Sequence, residues 1–366
     1  MKNQVAYFVF SLTALLSCKK DEPSLQATFL DLPEHPANYF GFEGINNNLP
    51  ELGKVLFYDK SLSVNNSVSC GSCHKQVYGF ADNTALSHGF DNQLTARNSM
   101  PIQNLNFGLT VDVNNGITLV PSSQKLFWDG REHDLNIMVL RPILNHIEMG
   151  ISDTEELAQK LKTIPYYKPL FKKAFDSDEI TSQKISEALA WFLRSITSRN
   201  TKLDKSFFGS GAQLSALELN GKRLFIEKYN CNSCHRVEDP NGYAFIGGGF
   251  SNIGLNEIYT DEGLAKVTHN SNDVGKFKIP SLRNVALTAP YMHDGRFETL
   301  DEVIDHYSNS IASHPNLDFR LRNANGQVRR MDISESEKNA IVAFLNTLTD
   351  FQVVTDPKFA SPFKTK

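Results

Sequence analysis

The sequence predicts a mainly α-helical protein with little sheet, built from two similar units that arise from an internal duplication. Three observations carry that expectation. The run Cys-x-x-Cys-His occurs twice, at Cys70–His74 and Cys231–His235. A related motif stands before each: Leu52-Gly53-Lys54-Val55-Leu56-Phe57 before the first, and Asn220-Gly221-Lys222-Arg223-Leu224-Phe225 before the second. Apolar residues recur at helical spacing, and no sustained period-two alternation is present.

The repeated run defines what each unit holds. Its two thiols have the spacing needed to add to the vinyl groups of one haem, and the adjacent histidine is placed to bind the iron. Two runs imply two covalent haem c groups, one on Cys70, Cys73 and His74, the other on Cys231, Cys234 and His235. They also imply redox chemistry that side chains alone do not supply. Each unit is therefore expected to be a cytochrome-c-like domain whose middle is filled by cofactor. Of five cysteines the remaining one is Cys18, so no pair is left for a structural disulfide. Two other readings compete. A four-thiolate zinc site would not require a histidine after each pair. A thioredoxin-like dithiol would sit in a βαβ pattern, and neither run does.

The remaining elements follow in chain order. Residues 1–17 read as an export signal: Lys2 is the positive start, and Val5–Leu16 is apolar but too short for a bilayer span of about 20 residues. Leu15-Leu16-Ser17-Cys18 resembles a bacterial lipobox with Cys18 as the lipidated residue; the competing reading is an ordinary secretory signal with a chance cysteine. Residues 18–38 form a polar, proline-containing tether. Residues 39–200 are expected as the first haem domain, 201–350 as the second, and 351–366 as a tail; the resemblance described below implies that the first is peroxidatic and the second electron-transferring. The boundary falls in the polar stretch Arg199–Gly211. Within the first unit, Ser152 with Glu155 forms a capping-box pattern ahead of Leu157, Leu161 and Ile164, and Ile185, Leu189, Phe192 and Ile196 mark one helix face. In the second, Ser215 with Glu218 opens the helix before the haem run. Ser334 with Glu337 opens a last helix through Ile341–Leu348. A net charge of −4 with no basic stripe argues against nucleic acid as a partner. Haem attachment is completed outside the cytoplasm, which agrees with the signal. The expected location is the bacterial periplasm or cell envelope, with a lipid anchor on Cys18 as the one membrane contact. The 25 phenylalanines suit a haem pocket but equally suit any core.

From Leu49 to Asp350 the chain resembles the bacterial di-haem cytochrome c peroxidases and their MauG-type relatives. The resemblance rests on Leu52–Asp59, Arg97-Asn98, Phe127-Trp128-Asp129-Gly130-Arg131, Glu148-Met149-Gly150, Pro280–Asn284 and Thr288–Gly295, in the family's order. It implies that Trp128 lies between the haems and relays charge. It implies that Glu148 is the distal carboxylate that moves a proton as H2O2 is cleaved at the first haem. A calcium ion between the haems would be held by Asn98 and by the carbonyls of Thr288 and Pro290. His293 would hydrogen-bond a haem propionate or the domain interface. Two departures stand out. Phe90 occupies the place of a histidine that caps the resting first haem in the best-known peroxidases, which implies a permanently open iron, with His88 the rival ligand. Met138 replaces a pocket glutamine and has no hydrogen bond to donate to peroxide. At the second haem, Tyr307 stands where MauG has an axial tyrosine and the peroxidases a methionine; His306 is the alternative, and packing is the third reading. The implied partners are H2O2 and either a small electron donor (cytochrome c or cupredoxin) or a protein substrate under oxidation, with a homodimer as the family's frequent assembly. A non-enzymatic di-haem electron carrier is the competing function.

Overall fold

The computed structural model describes Leu30, Leu32, Pro36 and residues 39–42, 44–105, 109–112, 116–119, 125–207, 211–236 and 249–364. The expected signal and Cys18 lie outside the described residues.

Helices carry the architecture. In the first unit these are α1 (Asn48–Tyr58), α2 (Thr154–Lys162), α3 (Tyr167–Phe175) and α4 (Ser182–Ser195). The second contains α5 (Lys202–Phe207), α6 (Ala216–Arg223), α7 (Leu300–Asp305) and α8 (Glu335–Asn346), followed by α9 (Phe351–Thr355). Among the described residues, named strands form two antiparallel pairs, β1 (Leu109–Asp112) with β2 (Gly116–Leu119), and β3 (Phe250–Ser251) with β4 (Phe277–Lys278).

Side-chain caps set several helix starts. Thr181 accepts from the Lys184 N–H at the start of α4. Full capping boxes pair Ser215 with Glu218 at α6 and Ser334 with Glu337 at α8, as the sequence predicts. The box expected from Ser152 and Glu155 is displaced by one residue. Asp153 is the cap of α2, accepting from the Glu156 N–H, and the Ser152 N–H and hydroxyl both donate to the Glu156 carboxylate. An aspartate accepts as well as a serine there, so two adjacent cap formers offered two registers.

The same crossing occurs in both units. In α1, Gly53 lies against α4, where a Cβ would collide with the Ala188 carbonyl and come 2.7 Å from the Phe192 Cβ. In α6, Gly221 lies against α8, where a Cβ would meet the Ala340 carbonyl and come 2.9 Å from the Phe344 Cβ. Each is the glycine of the repeated motif, and each lets two helices approach on an Ala and a Phe one turn apart. Around these crossings lie two separate apolar cores: Leu52, Val55, Phe57, Leu189 and Phe192 in the first, Leu224, Phe225, Ile341 and Phe344 in the second.

The ends differ from expectation. Leu30, in the stretch read as tether, is buried in the first core and bridges Phe363. Residues 351–366, read as a tail, contain α9, and Val353, Val354 and Phe359 return to the first core. The chain's last segment therefore leaves the second unit to finish the first.

Candidate active site

Each Cys-x-x-Cys-His run folds as one tight turn. Cys70–Cys73 is a single helical turn with reciprocal Ser69 and Ser72 capping. Left-handed Gly79 and Phe80 then reverse the chain, and the Phe80 carbonyl reaches His74 Nδ1 at 3.0 Å. In the second run His235 Nδ1 meets the Pro280 carbonyl at 3.1 Å. A carbonyl can only accept, so each Nδ1 carries the proton and each Nε2 keeps its lone pair for iron. Burial lowers both histidine pKa values, that of His235 to about 4, so both rings are neutral imidazoles at pH 7. Burial also pushes the Cys70 and Cys231 thiols up to about 12. A redox dithiol needs the opposite shift.

Both runs open onto cavities. The first, about 690 Å³, is lined by Cys70, Cys73 and His74, and also by His88, Met138 and Glu148. The second is tighter, about 200 Å³, with Cys231, Cys234, His235, His293 and Tyr307 in its wall. A pair of thiols and a preoriented imidazole on the wall of one mainly apolar cavity, twice over, fits the attachment of two haem c groups.

Trp128 lines both cavities, as do Asn98 and Lys278. The indole N–H donates to the Asn98 carbonyl at 2.9 Å, and the Trp128 carbonyl accepts from the Lys278 N–H at 2.8 Å. Its ring packs with Tyr259 and Phe277 in a small apolar cluster separate from the two cores.

The other expected site residues separate clearly. Glu148 faces the first cavity, where Asn145 Nδ2 donates to its Oε1 at 3.0 Å. Burial raises its pKa above the usual carboxyl range, partly offset by Arg131. The Phe90 ring packs on Gly150, and its N–H donates to the Glu148 carbonyl at 2.9 Å, so Phe90 braces the Glu148 loop. His88 is exposed at the cavity rim. At the second cavity Tyr307 lies in the wall, whereas His306 is buried with Nε2 against the Ile253 carbonyl at 3.0 Å. The two share a π-turn, His306–Ser310, at the end of α7. His293 stacks on Phe277 at 3.6 Å, and its buried Nδ1 has no hydrogen-bond partner among the described residues. Asn98, Thr288 and Pro290 all border the second cavity. Among the described residues no His, Cys, Asp or Glu cluster forms a metal site.

The family model described as di-haem cytochrome c peroxidase matches residues 47–212. Cytochrome c551 peroxidase of Nitrosomonas europaea is 34% identical over 325 residues, covering 87% of this chain and 83% of the relative. The chain belongs to the di-haem cytochrome c peroxidase family. Methylamine utilization protein MauG of Methylorubrum extorquens is 33% identical over 81% of this chain and 77% of its own length. Among solved structures, a MauG-like protein associated with microbial copper homeostasis superposes with a TM-score of 0.72 at 33% identity, covering 91% of this chain and 98% of that one. The di-haem peroxidase BthA of Burkholderia thailandensis shares the fold, with a TM-score of 0.67 at 19% identity, covering 87% of this chain and 90% of that one.

As a member of this family the protein is a peroxidase-type di-haem oxidoreductase. Its site also contains groups that sequence reasoning did not identify. Arg97 donates to Asp129 at 2.7 Å and through two nitrogens to Asp261 at 2.6 and 2.8 Å. Burial works against the Asp261 carboxylate, yet the Arg97 hydrogen bonds hold it down at about 2. Asp129 follows Trp128 directly, so this clamp fixes the tryptophan's loop to the second half of the chain. Arg97 and Asp129 stand in recognisable motifs; nothing in the sequence around Asp261 marks it as their partner. Lys278 is the other: its Nζ donates to the Lys125 carbonyl at 2.5 Å, and burial lowers its pKa to about 8.

Proposed function

We propose that this protein reduces H2O2 at the haem attached through Cys70, Cys73 and His74, with electrons arriving through the haem on Cys231, Cys234 and His235. The observation that carries the reading is Trp128, which lines both cavities. When bound, haem iron supplies the centre at which peroxide is cleaved and from which oxidising equivalents are drawn. The chain does the rest. His74 and His235 present neutral Nε2 atoms. Glu148, oriented by Asn145 and partly withdrawn from water, takes the proton of the incoming peroxide and returns it to the departing oxygen. Trp128, its N–H held by Asn98, offers an aromatic relay between the sites. The wider first cavity and the outward packing of Phe90 support an open first iron.

The position of Tyr307 in the second cavity, with His306 committed to Ile253, favours tyrosine as the sixth ligand there. A phenolate ligand stabilises higher iron oxidation states. That supports a second reading, oxidation of a partner protein's side chain in the MauG manner. Calcium at Asn98, Thr288 and Pro290, periplasmic residence with a lipid on Cys18, and origin of the two units by duplication complete the proposal. The last is supported by the matched glycine crossings.

The test mixes resting holoprotein with H2O2 and follows the Soret band, then repeats the mixing with a reduced small cytochrome c. Rapid donor oxidation supports the peroxidase reading. A Soret response without donor turnover supports the MauG-like one. No response to peroxide leaves only an electron carrier.

A further inference from the structure

Away from both cavities, two tyrosines share one carboxylate oxygen. The hydroxyls of Tyr166 and Tyr167 each donate to Asp59 Oδ2 at 2.5 Å. Their rings lie 4.8 Å apart, Tyr167 fully buried and Tyr166 reaching the surface. Asp59 is itself buried, and its other oxygen accepts from the Ser61 N–H at 2.8 Å. The arrangement adjoins the first haem run. Tyr58, next to Asp59, packs its ring on Gly71, where a Cβ would be 2.5 Å away, inside Cys70–His74. Cys70, Tyr58 and Tyr166 all pack on the same core that contains Tyr167.

A phenol is hard to oxidise unless its proton leaves with the electron. Burial and the Asp59 charge raise both phenol pKa values, so neither tyrosine ionises first at neutral pH. A proton acceptor already hydrogen-bonded to the hydroxyl removes that obstacle.

We propose that Tyr166 and Tyr167 are a redox site that donates an electron to the first haem centre after peroxide cleavage, with Asp59 receiving the phenolic proton. This rests on H2O2 reacting at the first haem. The O–O bond breaks, and two electrons from the protein with two protons drawn from solvent convert H2O2 into two waters. One electron comes from the tyrosine pair, whose O–H proton passes to Asp59 as a tyrosyl radical forms. The other comes from the second haem through Trp128. The pair thus gives oxidising equivalents an exit to the surface at Tyr166 when no donor is present.

The test treats the holoprotein with H2O2 without donor, follows the Soret band, and freezes samples for EPR. A nitroso spin trap and peptide mass spectrometry locate the radical. A tyrosyl signal with adducts on Tyr166 or Tyr167 is expected. It should be lost in the Y166F/Y167F double variant and weakened in D59N, while the Soret response persists in both. A Soret response with no tyrosyl signal, or a signal unchanged in the double variant, overturns the inference and leaves the peroxidase reading intact. Absence of any Soret response overturns both.

Discussion

In the proposed reaction, Glu148 and Tyr307 are where single side chains decide the chemistry. Burial holds the Glu148 carboxyl above its ordinary value of 4.5, so the carboxylate that accepts peroxide's proton becomes available only above that raised value. The rate of the peroxide reaction should therefore rise with pH through a midpoint above 4.5. E148Q should slow the reaction by about 10²–10⁴-fold and flatten that pH dependence, read by stopped-flow absorbance. At the second haem, Y307F should change the resting EPR signature and raise the reduction potential, because a phenolate ligand favours the ferric state. H306A should leave that signature in place, since its ring is turned to the Ile253 carbonyl. A second-haem spectrum unchanged in Y307F would remove tyrosine from the ligand set. The family position in the sequence favours Tyr307 with His306 as the alternative; in the structure Tyr307 lines the second cavity while His306 Nε2 meets the Ile253 carbonyl.

Two helix pairs and the turns that follow them do most of the positioning. The glycine crossings of α1 on α4 and α6 on α8 leave no room for a methyl group. G53A and G221A should each destabilise the protein by about 1–3 kcal/mol or more, because the facing atoms include backbone that must shift. Thermal unfolding of the holoprotein measures this, and a Tm within a degree or so of wild type would contradict the close approach. Helix starts were legible where Ser–Glu pairs were unambiguous, at α6 and α8. At α2 the boundary shifted by one residue because Ser152 and Asp153 are both competent caps, and local propensity does not rank them.

Across the whole molecule, the Arg97 clamp ties the Trp128 loop to Asp261 of the second half. The Asp261 carboxyl is held at about 2, against an ordinary 3.8, a difference worth about 2 kcal/mol of folding free energy. A depressed carboxyl stabilises the fold fully above its unfolded value. That contribution should be complete above about pH 4 and be lost as pH falls toward 2. D261N should remove this part of the acid dependence in urea titrations across that range. It should also slow charge exchange between the haems if the clamp holds Trp128 in place. The terminal segment works at the same scale: Phe359 packs against Phe80 and Phe192, and its carbonyl accepts from the Tyr58 hydroxyl at 2.6 Å.

The sequence by itself determined the two Cys-x-x-Cys-His runs, the di-haem family and the helical class, because thiol spacing, an adjacent imidazole and capping chemistry are local properties of a few consecutive residues. Only the tertiary structure decided that Trp128 borders both cavities, that Pro280 orients His235, that Arg97 finds Asp261, and that Tyr166 and Tyr167 converge on Asp59. Each of those joins residues far apart in the chain, and a hydrogen bond or a shared wall between them exists only once the cores have packed and brought their backbones together.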